Sequence, residues 1–539
     1  MQKINGNNLI QMHLNAAALV TMHANELNEL NVFPVPDGDT GTNMSMTMNS
    51  LISAFIGVKE ANISKVADTA AATLLRGARG NSGVILALLF RGFAKRLKGV
   101  YEADSVIIAE AMEEAVKAAY AAVVKPAEGT ILTVSYVSTE YAMQNCAEIT
   151  DIIELFEKML EKANEALALT PTQNPILAKA GVVDAGAKGY CFLLEGMLRA
   201  LKGEVIVSDE NEIIKEIRLG ESEAEIEFAY CTEFIIEKNE EEFNAVEFRK
   251  FLIEHGNSIV LVDDDEIVKV HVHSNNPGLI LEEAVLFGGL IKIKIENMKE
   301  QNAQITAAKR AVIPESVEPD KKYGFVAVAA GEGVCDVFND LGVDVIVEGG
   351  QTMNPSTEDI LSAINKTPAE IVFVLPNNKN IIMAAEQTVS LSDKKVCVIN
   401  TVSLPQGISA MLAFNEGDEA NTNIEAMEAG AKNILTGQIT YAARNSSFDG
   451  HEILAGDYIA LFEGKLCDVC NDFEKTAKAL AEKLDLPNKE YITVFCGQDT
   501  TEENNEIMEN IIKETAKKEI DLNILNGGQP VYYYIISAE

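Results

Sequence analysis

Two aspartates flank one glycine at Asp37-Gly38-Asp39, within the string Asn31-Val-Phe-Pro-Val-Pro-Asp-Gly-Asp-Thr-Gly-Thr-Asn43-Met44. Two hard carboxylates just ahead of a helix start suit Mg²⁺, which takes one or two carboxylates and completes its shell with phosphate oxygens and water. The same residues also read as a Pro-Asp-Gly turn followed by an Asp39 or Thr40 helix cap. Three further loops favour the metal: RGARGNSG with Gly80, Asn81 and Ser82; KPAEGT with Gly129 and Thr130; and AGVVDAGAKG with Asp184 and Gly186. Glycine and small polar residues let backbone amides come close to phosphates, and helices starting near Thr40, Ser82, Thr130 and Ala185 aim positive dipole ends at a shared anion. The expected chemistry is a metal-assisted nucleotide phosphate site. Asp37 and Asp39 hold the metal. Thr40, Gly41, Thr42, Asn43 and Met44 contact the phosphates together with Gly80, Asn81 and Ser82. Gly129, Thr130, Asp184 and Gly186 frame the nucleotide. Arg79 is either a neutraliser of transferring charge or an ordinary exposed arginine. No GxxxxGK[ST] and no kinase HRD motif occurs.

A second group uses softer ligands. His271 and His273 lie two apart in Val268-Lys-Val-His-Val-His273, so in a strand both imidazoles share one face. Cys231 stands in the neighbouring strand candidate EFAYCTEF. Two nitrogens and a thiolate make a three-ligand zinc site with an open position, whereas the plainer alternative is a pair of half-exposed strand histidines. Cys467 and Cys470 form a lone CxxC with no second pair nearby and read as ordinary thiols. The acidic run ending at Glu266 reads as a solvated turn, and His255, His13 and His23 as surface or core residues.

These residues need elements to position them. Residues 1–202 carry helical periodicity, with eight helices expected at 8–30, 40–57, 64–78, 83–98, 104–124, 131–145, 150–168 and 186–202. If the helices run up and down, the loops after the first, third, fifth and seventh emerge at one end. Those are the four loops with unusual chemistry. An acidic linker at 203–224 leads to strand alternation over 225–300, expected to be a small α/β unit. A Pro-containing tether within 301–322 precedes a region at 323–539, where YGFVAVAAG, EIVFVLP, KVCVIN and YITVFCG alternate with helical segments in the rhythm of a mostly parallel sheet. Inside it, Phe325–Gly331, a helix and Gly349-Gly350-Gln351 are echoed by Ile492–Gly497, a helix and Gly527-Gly528-Gln529, as two related half-domains would produce.

Composition sets the outer limits. The 539 residues exceed one core, and 47% hydrophobic with 23% charged residues is ordinary for globular protein. A formal net charge of −38 repels nucleic acid and anionic lipid, so phosphate must be held by metal or backbone amides. Polar residues interrupt the N-terminal apolar runs before a signal core forms, and no stretch approaches a membrane span. With eight scattered cysteines, a cytoplasmic, soluble chain is expected.

The Asn31–Met44 string closely resembles the signature of the DhaL (DAK2) domain, the nucleotide-binding part of dihydroxyacetone kinases, over residues 1–202. That resemblance implies an eight-helix barrel holding ATP or ADP through two Mg²⁺ ions on an aspartate cluster. Asp37 and Asp39 match the cluster, and a third aspartate of the pattern is Asn31 here. The further order, HVHSNNPG and then GGQTMNPS, resembles the catalytic subunit of bacterial fatty acid kinase along essentially the whole chain. This implies phosphoryl transfer from ATP to a fatty acid presented by a separate carrier of DegV type, a C-terminal DegV-like domain that helps dock it, and a Cys-His-His cluster at Cys231, His271 and His273. Homodimerisation is left open. The alternatives are a subunit of dihydroxyacetone or sugar kinase type, a nucleotide-sensing scaffold without turnover, and a hydrolase centred on the Cys-His-His group.

Overall fold

A computed structural model describes residues 1–31, 38–55, 57–123, 126–206, 230–238, 245–263, 267–297, 317–350, 353–442, 445–448 and 451–539. Within the strands and one helix of the middle region and in the paired strands β10 (Ser446–Phe448) and β11 (His451–Ile453), several residues are described by backbone alone. Asp37, Gln351, the acidic residues 264–266, and residues 207–224 and 301–316 of the two linkers lie outside the described residues.

The chain divides into two compact units, Met1–Glu212 with Ser316–Glu539, and Ile213–Glu315. In the first, the helical part comprises α1 (Gly6–Met22), α2 (Ala24–Leu30), α3 (Thr40–Phe55), α4 (Ile63–Gly77), α5 (Gly80–Leu97), α6 (Ser105–Ala122), α7 (Ile131–Asn145), α8 (Ile152–Gln173), α9 (Pro175–Ala180) and α10 (Ala185–Leu201). Apart from the short α2 and α9, each packs on the next, and α10 closes on α1, giving a ring of eight helices. Apolar residues at helical spacing drive the closure, with Leu9, Val20, Met48, Leu74, Leu86, Ile108, Leu155 and Leu194 essentially inaccessible. His13 belongs to this core. Its ring lies 5.1 Å from Phe90 and 5.9 Å from Phe55, neither ring nitrogen has a partner among the described residues, and burial pushes the imidazole down to about 3. His23 instead stacks on Phe192 at 4.0 Å and bonds Glu26 at 2.8 Å.

The C-terminal part of the same unit holds two sheets. Strands β5 (Lys321–Ala329), β6 (Val345–Glu348), β7 (Ala369–Leu375) and β8 (Lys395–Val398) are all parallel, in the order β6-β5-β7-β8. The other sheet, in the order β13-β12-β9-β16-β14-β15, is mixed. It contains β9 (Leu435–Tyr441), β12 (Tyr458–Phe462), β13 (Lys465–Cys470), β14 (Tyr491–Cys496), β15 (Asp521–Asn526) and β16 (Tyr534–Ala538), and only β14 and β15 pair in parallel. The mostly parallel sheet expected from sequence is thus half of the domain: where hairpins and a C-terminal return strand replace crossover helices, pairing becomes antiparallel. The internal echo is a repeated strand-helix-parallel strand unit, β5 to β6 and β14 to β15, each running into a Gly-Gly pair. Cys467 and Cys470 on β13 are free thiols; Cys467 is the extra residue of a bulge against β12, and Cys470 pairs with Tyr458.

The second unit is an antiparallel sheet, β2 (Gly256–Asp263), β3 (Ile267–Ser274), β1 (Tyr230–Lys238) and β4 (Gly288–Asn297), in the order β2-β3-β1-β4. One face buries Phe234, Ile236, Val268, Val270 and Val272 against Phe248, Leu252, Ile280 and Ala284 of the described helices Ala245–His255 and Pro277–Ala284.

Candidate functional site

The N-termini of α3, α5, α7 and α10 meet at one end of the helical ring around a cleft of about 270 Å³. Asn31, Thr40, Asn81, Ser82, Thr130, Asp184 and Gly186 line it, so all four glycine-bearing loops contribute. Its other wall is apolar, made by Leu30, Ile85, Val123, Ile131, Ile176 and Leu177 among others. Neither Arg79 ahead of α5 nor Thr130 ahead of α7 caps its helix with its own side chain, and at α7 the Ile131 amide is taken by Asp184. Gly80 takes φ +56°, and a Cβ there would fall 2.5 Å from Asn43 Nδ2. Only glycine turns the chain into α5 this close to α3.

Asp39, 8% exposed, sits immediately before α3. Its Oδ1 accepts from Asn31 Nδ2 at 3.5 Å and its Oδ2 from Asn354 Nδ2 at 2.6 Å. Burial raises the Asp39 pKa, opposed by amide hydrogen bonds from Asn43 and Asn354 and by the charge of Lys379. Asp184 caps α10 by accepting from the Ala187 amide at 2.7 Å, and burial pushes its carboxyl up to about 6 against that bond and one from Ile131. Other members of the expected set serve packing and local hydrogen bonding. Met44 is inaccessible and lies over Gly189, Gly41 crosses the backbone of Ala24, the Thr42 amide donates to Asn28 Oδ1 at 3.0 Å, and the Gly129 amide donates to Thr133 Oγ1 at 3.0 Å.

Sequence reasoning missed the contribution of the C-terminal domain. Its segment 353–359 runs along the start of α5. Ser356 forms an isolated antiparallel bridge with Arg79, and the Thr357 amide donates to Ala78 O at 3.1 Å. The Arg79 guanidinium donates to Asn354 O at 2.8 Å and pairs with Asp359 at 3.4 Å, so it clamps this segment. Asn81 Nδ2 donates to Asn380 Oδ1 at 3.3 Å. The polar string MNPSTED, flanked by Gly349-Gly350, was the one signal available, and it does not say which surface it meets.

A divalent cation of Mg²⁺ type fits the donors beside the cleft. They are a carboxylate bonded to amides, with the amide oxygens of Asn31, Asn43 and Asn354 close by, and Asn354 Oδ1 is buried with no partner among the described residues. No group of three or more His, Cys, Asp or Glu side chains is gathered as for a metal among the described residues, which exclude Asp37 and the side chains of Cys231, His271 and His273. In the second unit the backbone register pairs Cys231 with His273 and Glu233 with His271. All four positions therefore share the sheet face opposite the one packed on the helices.

A ring of eight helices with four helix N-termini gathered at one end accompanies a match to the family model described as DAK2 domain over residues 34–199. Two others, the FakA-like middle domain and the FakA-like C-terminal domain of fatty acid kinase, match 227–305 and 324–539. The chain belongs to this FakA-like fatty acid kinase family. It is 40% identical over 554 residues to protein YloV of Bacillus subtilis (strain 168), covering 100% of both. An uncharacterised protein of Staphylococcus aureus (strain USA300) is 38% identical over 549 residues, again with 100% of each covered. Among solved structures, a DegV family protein from Corynebacterium glutamicum matches 40% of this chain and 96% of its own, at 11% identity and a TM-score of 0.31. No described helix is long and apolar enough to cross a membrane.

Proposed function

We propose that this chain is the ATP-binding subunit of a fatty acid kinase, transferring the γ-phosphate of ATP to a fatty acid presented by a separate DegV-type carrier protein. The observation that carries the reading is the cleft itself: four helix N-termini converge beside a buried aspartate, with an apolar wall suited to a base. At about 270 Å³ it approaches the ~300–1,000 Å³ of small-molecule sites. The apolar cavity inside the ring, about 40 Å³, and the cleft between the C-terminal sheets, about 30 Å³, are both far below that range.

On this reading residues 1–202 bind nucleotide, 225–300 carry the Cys-His-His positions, and 323–539 dock the carrier, with 203–224 and 301–322 as linkers. Asp39, with Asp37, would hold Mg²⁺, and the first-turn amides of α3 and α5, apart from that of Thr42 which is bonded to Asn28, would take the phosphates. Mg²⁺ held there would neutralise charge on the phosphate oxygens. A fatty carboxylate is already ionised at neutral pH, so no general base is required. Its oxygen attacks the γ-phosphorus while the bond to the β,γ-bridging oxygen breaks, and ADP leaves with that electron pair to give acyl phosphate. Cys231, His271 and His273, on one sheet face, would hold a zinc-type ion that offsets negative charge on the acceptor.

Incubating the purified chain with Mg-ATP, oleate and a DegV-type carrier tests the proposal. ATP consumption should require both carrier and fatty acid and should yield acyl phosphate. Turnover supported equally by dihydroxyacetone, or none with any carrier, would sink it.

A further inference from the structure

The buried carboxylate proposed to hold the metal is itself held from the other end of the chain. Asn354 and Asp39 are 315 residues apart, yet the Asn354 amide nitrogen donates to Asp39 Oδ2 at 2.6 Å, with Asn43 Oδ1 at 3.4 Å from the same nitrogen. Asn354 is 2% exposed, and its own amide oxygen is buried without a partner among the described residues. A buried carboxamide with an unmatched oxygen costs stability unless something else supplies a donor or a cation there. The residue is also anchored with care. Arg79 grips its carbonyl, Asp359 holds Arg79, and the Ser356–Asp359 capping box fixes the start of the following helix (Thr357–Lys366). Gly80 leaves room for it, since a Cβ there would fall 3.3 Å from Asn354 Nδ2. From the same domain, Lys379 adds its charge near Asp39, and Asn380 meets Asn81 at the cleft.

We infer that the cation–nucleotide site is built from both domains, with Asn354 as the positioning residue that orients the Asp39 carboxylate for a divalent ion. A carboxylate with two free torsions can turn either oxygen outward. Amide donors on both oxygens, Asn31 on one and Asn354 on the other, remove that freedom and leave the remaining lone pairs for the ion. Partners of this kind typically change metal affinity by about 10–100-fold. The C-terminal domain would then report its own docking to the nucleotide site, because a shift of the 353–359 segment releases Asp39.

The inference rests on the nucleotide reading above, and one set of titrations separates the two. In the full-length chain, the melting temperature is followed at fixed ADP while Mg²⁺, and separately Mn²⁺, is raised. The midpoint in metal concentration is read, together with the melting temperature free of metal and nucleotide. The parent should show a clear midpoint and Asp39→Asn none. Asn354→Ala should raise the midpoint at least tenfold. Arg79→Gln, at the rim of the contact, should raise it several-fold, and it decides the matter if Asn354→Ala does not fold. A packing role alone would lower the metal-free melting temperature and leave the midpoint within twofold of the parent, which overturns the inference while the nucleotide reading stands. No metal-dependent response in the parent, or a parent-like midpoint in Asp39→Asn, overturns both.

Discussion

Asp184 shows how one side chain can serve a helix and a cleft with opposing demands. As the cap of α10 it is best ionised, because a carboxylate accepts the Ala187 amide bond more strongly and complements the helix dipole. Burial at the cleft wall works the other way and wins, since its pKa is raised to about 6. A raised carboxyl pKa means the folded chain binds the proton more tightly than the unfolded chain. The stabilising contribution is therefore complete below the unfolded value near 3.8 and is lost as pH rises through about 6. Asp184→Asn keeps a cap acceptor and removes the charge. The variant should melt close to the parent at pH 4 and gain on it by a few degrees at pH 7, for roughly 1–3 kcal/mol after allowing for partial exposure. Melting curves across that window check it, and a difference that shrinks with rising pH contradicts it.

Elements explain which expectations held to the residue and which slipped. Residues 131–145 form a helix with the expected ends, because a polar glycine loop precedes it and the Cys146 turn follows. The expected helix 8–30 is broken at His23, whose backbone leaves the helical region although ANELNEL continues the periodicity. Helix α5 begins at Gly80, three residues before the apolar pattern starts, so Asn81 and Ser82 belong to a helix turn rather than a loop. Within α5, Gly92 lies where α6 crosses, and a Cβ there would meet Glu114 O at 2.3 Å and Ala115 Cα at 2.6 Å. Glycine to alanine in an open helix gains about 1 kcal/mol, whereas forcing a methyl against rigid backbone costs about 1–3 kcal/mol, so the clash should win. Gly92→Ala is expected to lower the melting temperature by a few degrees; a rise would mean the helices do not cross this closely.

At the scale of the molecule, the helical ring and the C-terminal domain fall within one compact unit rather than standing apart as beads. The Arg79 clamp and the Asn354 contact join the ring's cleft end to the C-terminal domain. Residues 1–206 expressed alone should therefore bind ADP, require at least tenfold more Mg²⁺ than the full chain, and form no acyl phosphate with carrier and oleate. Calorimetric titration of fragment and full chain under matched Mg²⁺ measures the first two, and acyl phosphate assay the third. Full activity in the fragment would refute the division of labour.

The sequence determined the helical ring, the middle sheet and the α/β character of the C-terminal region, because each follows from local periodicity and from turn residues whose effects reach only a few positions. It also placed Asn31, Thr40, Asn81, Ser82, Thr130, Asp184 and Gly186 at one end of the bundle, since alternating helix direction alone sends every second loop there. Pairing of Cys231 with His273 was within reach for the same reason, a strand period of two. Tertiary structure decided the rest. Which sheet would be parallel depended on how strands return, and which residues of the Asn31–Met44 string would be core, as Met44 is, depended on helix packing. That Asn354 reaches Asp39 across 315 residues follows from docking two surfaces that share no local pattern, and no period in either segment encodes such a contact.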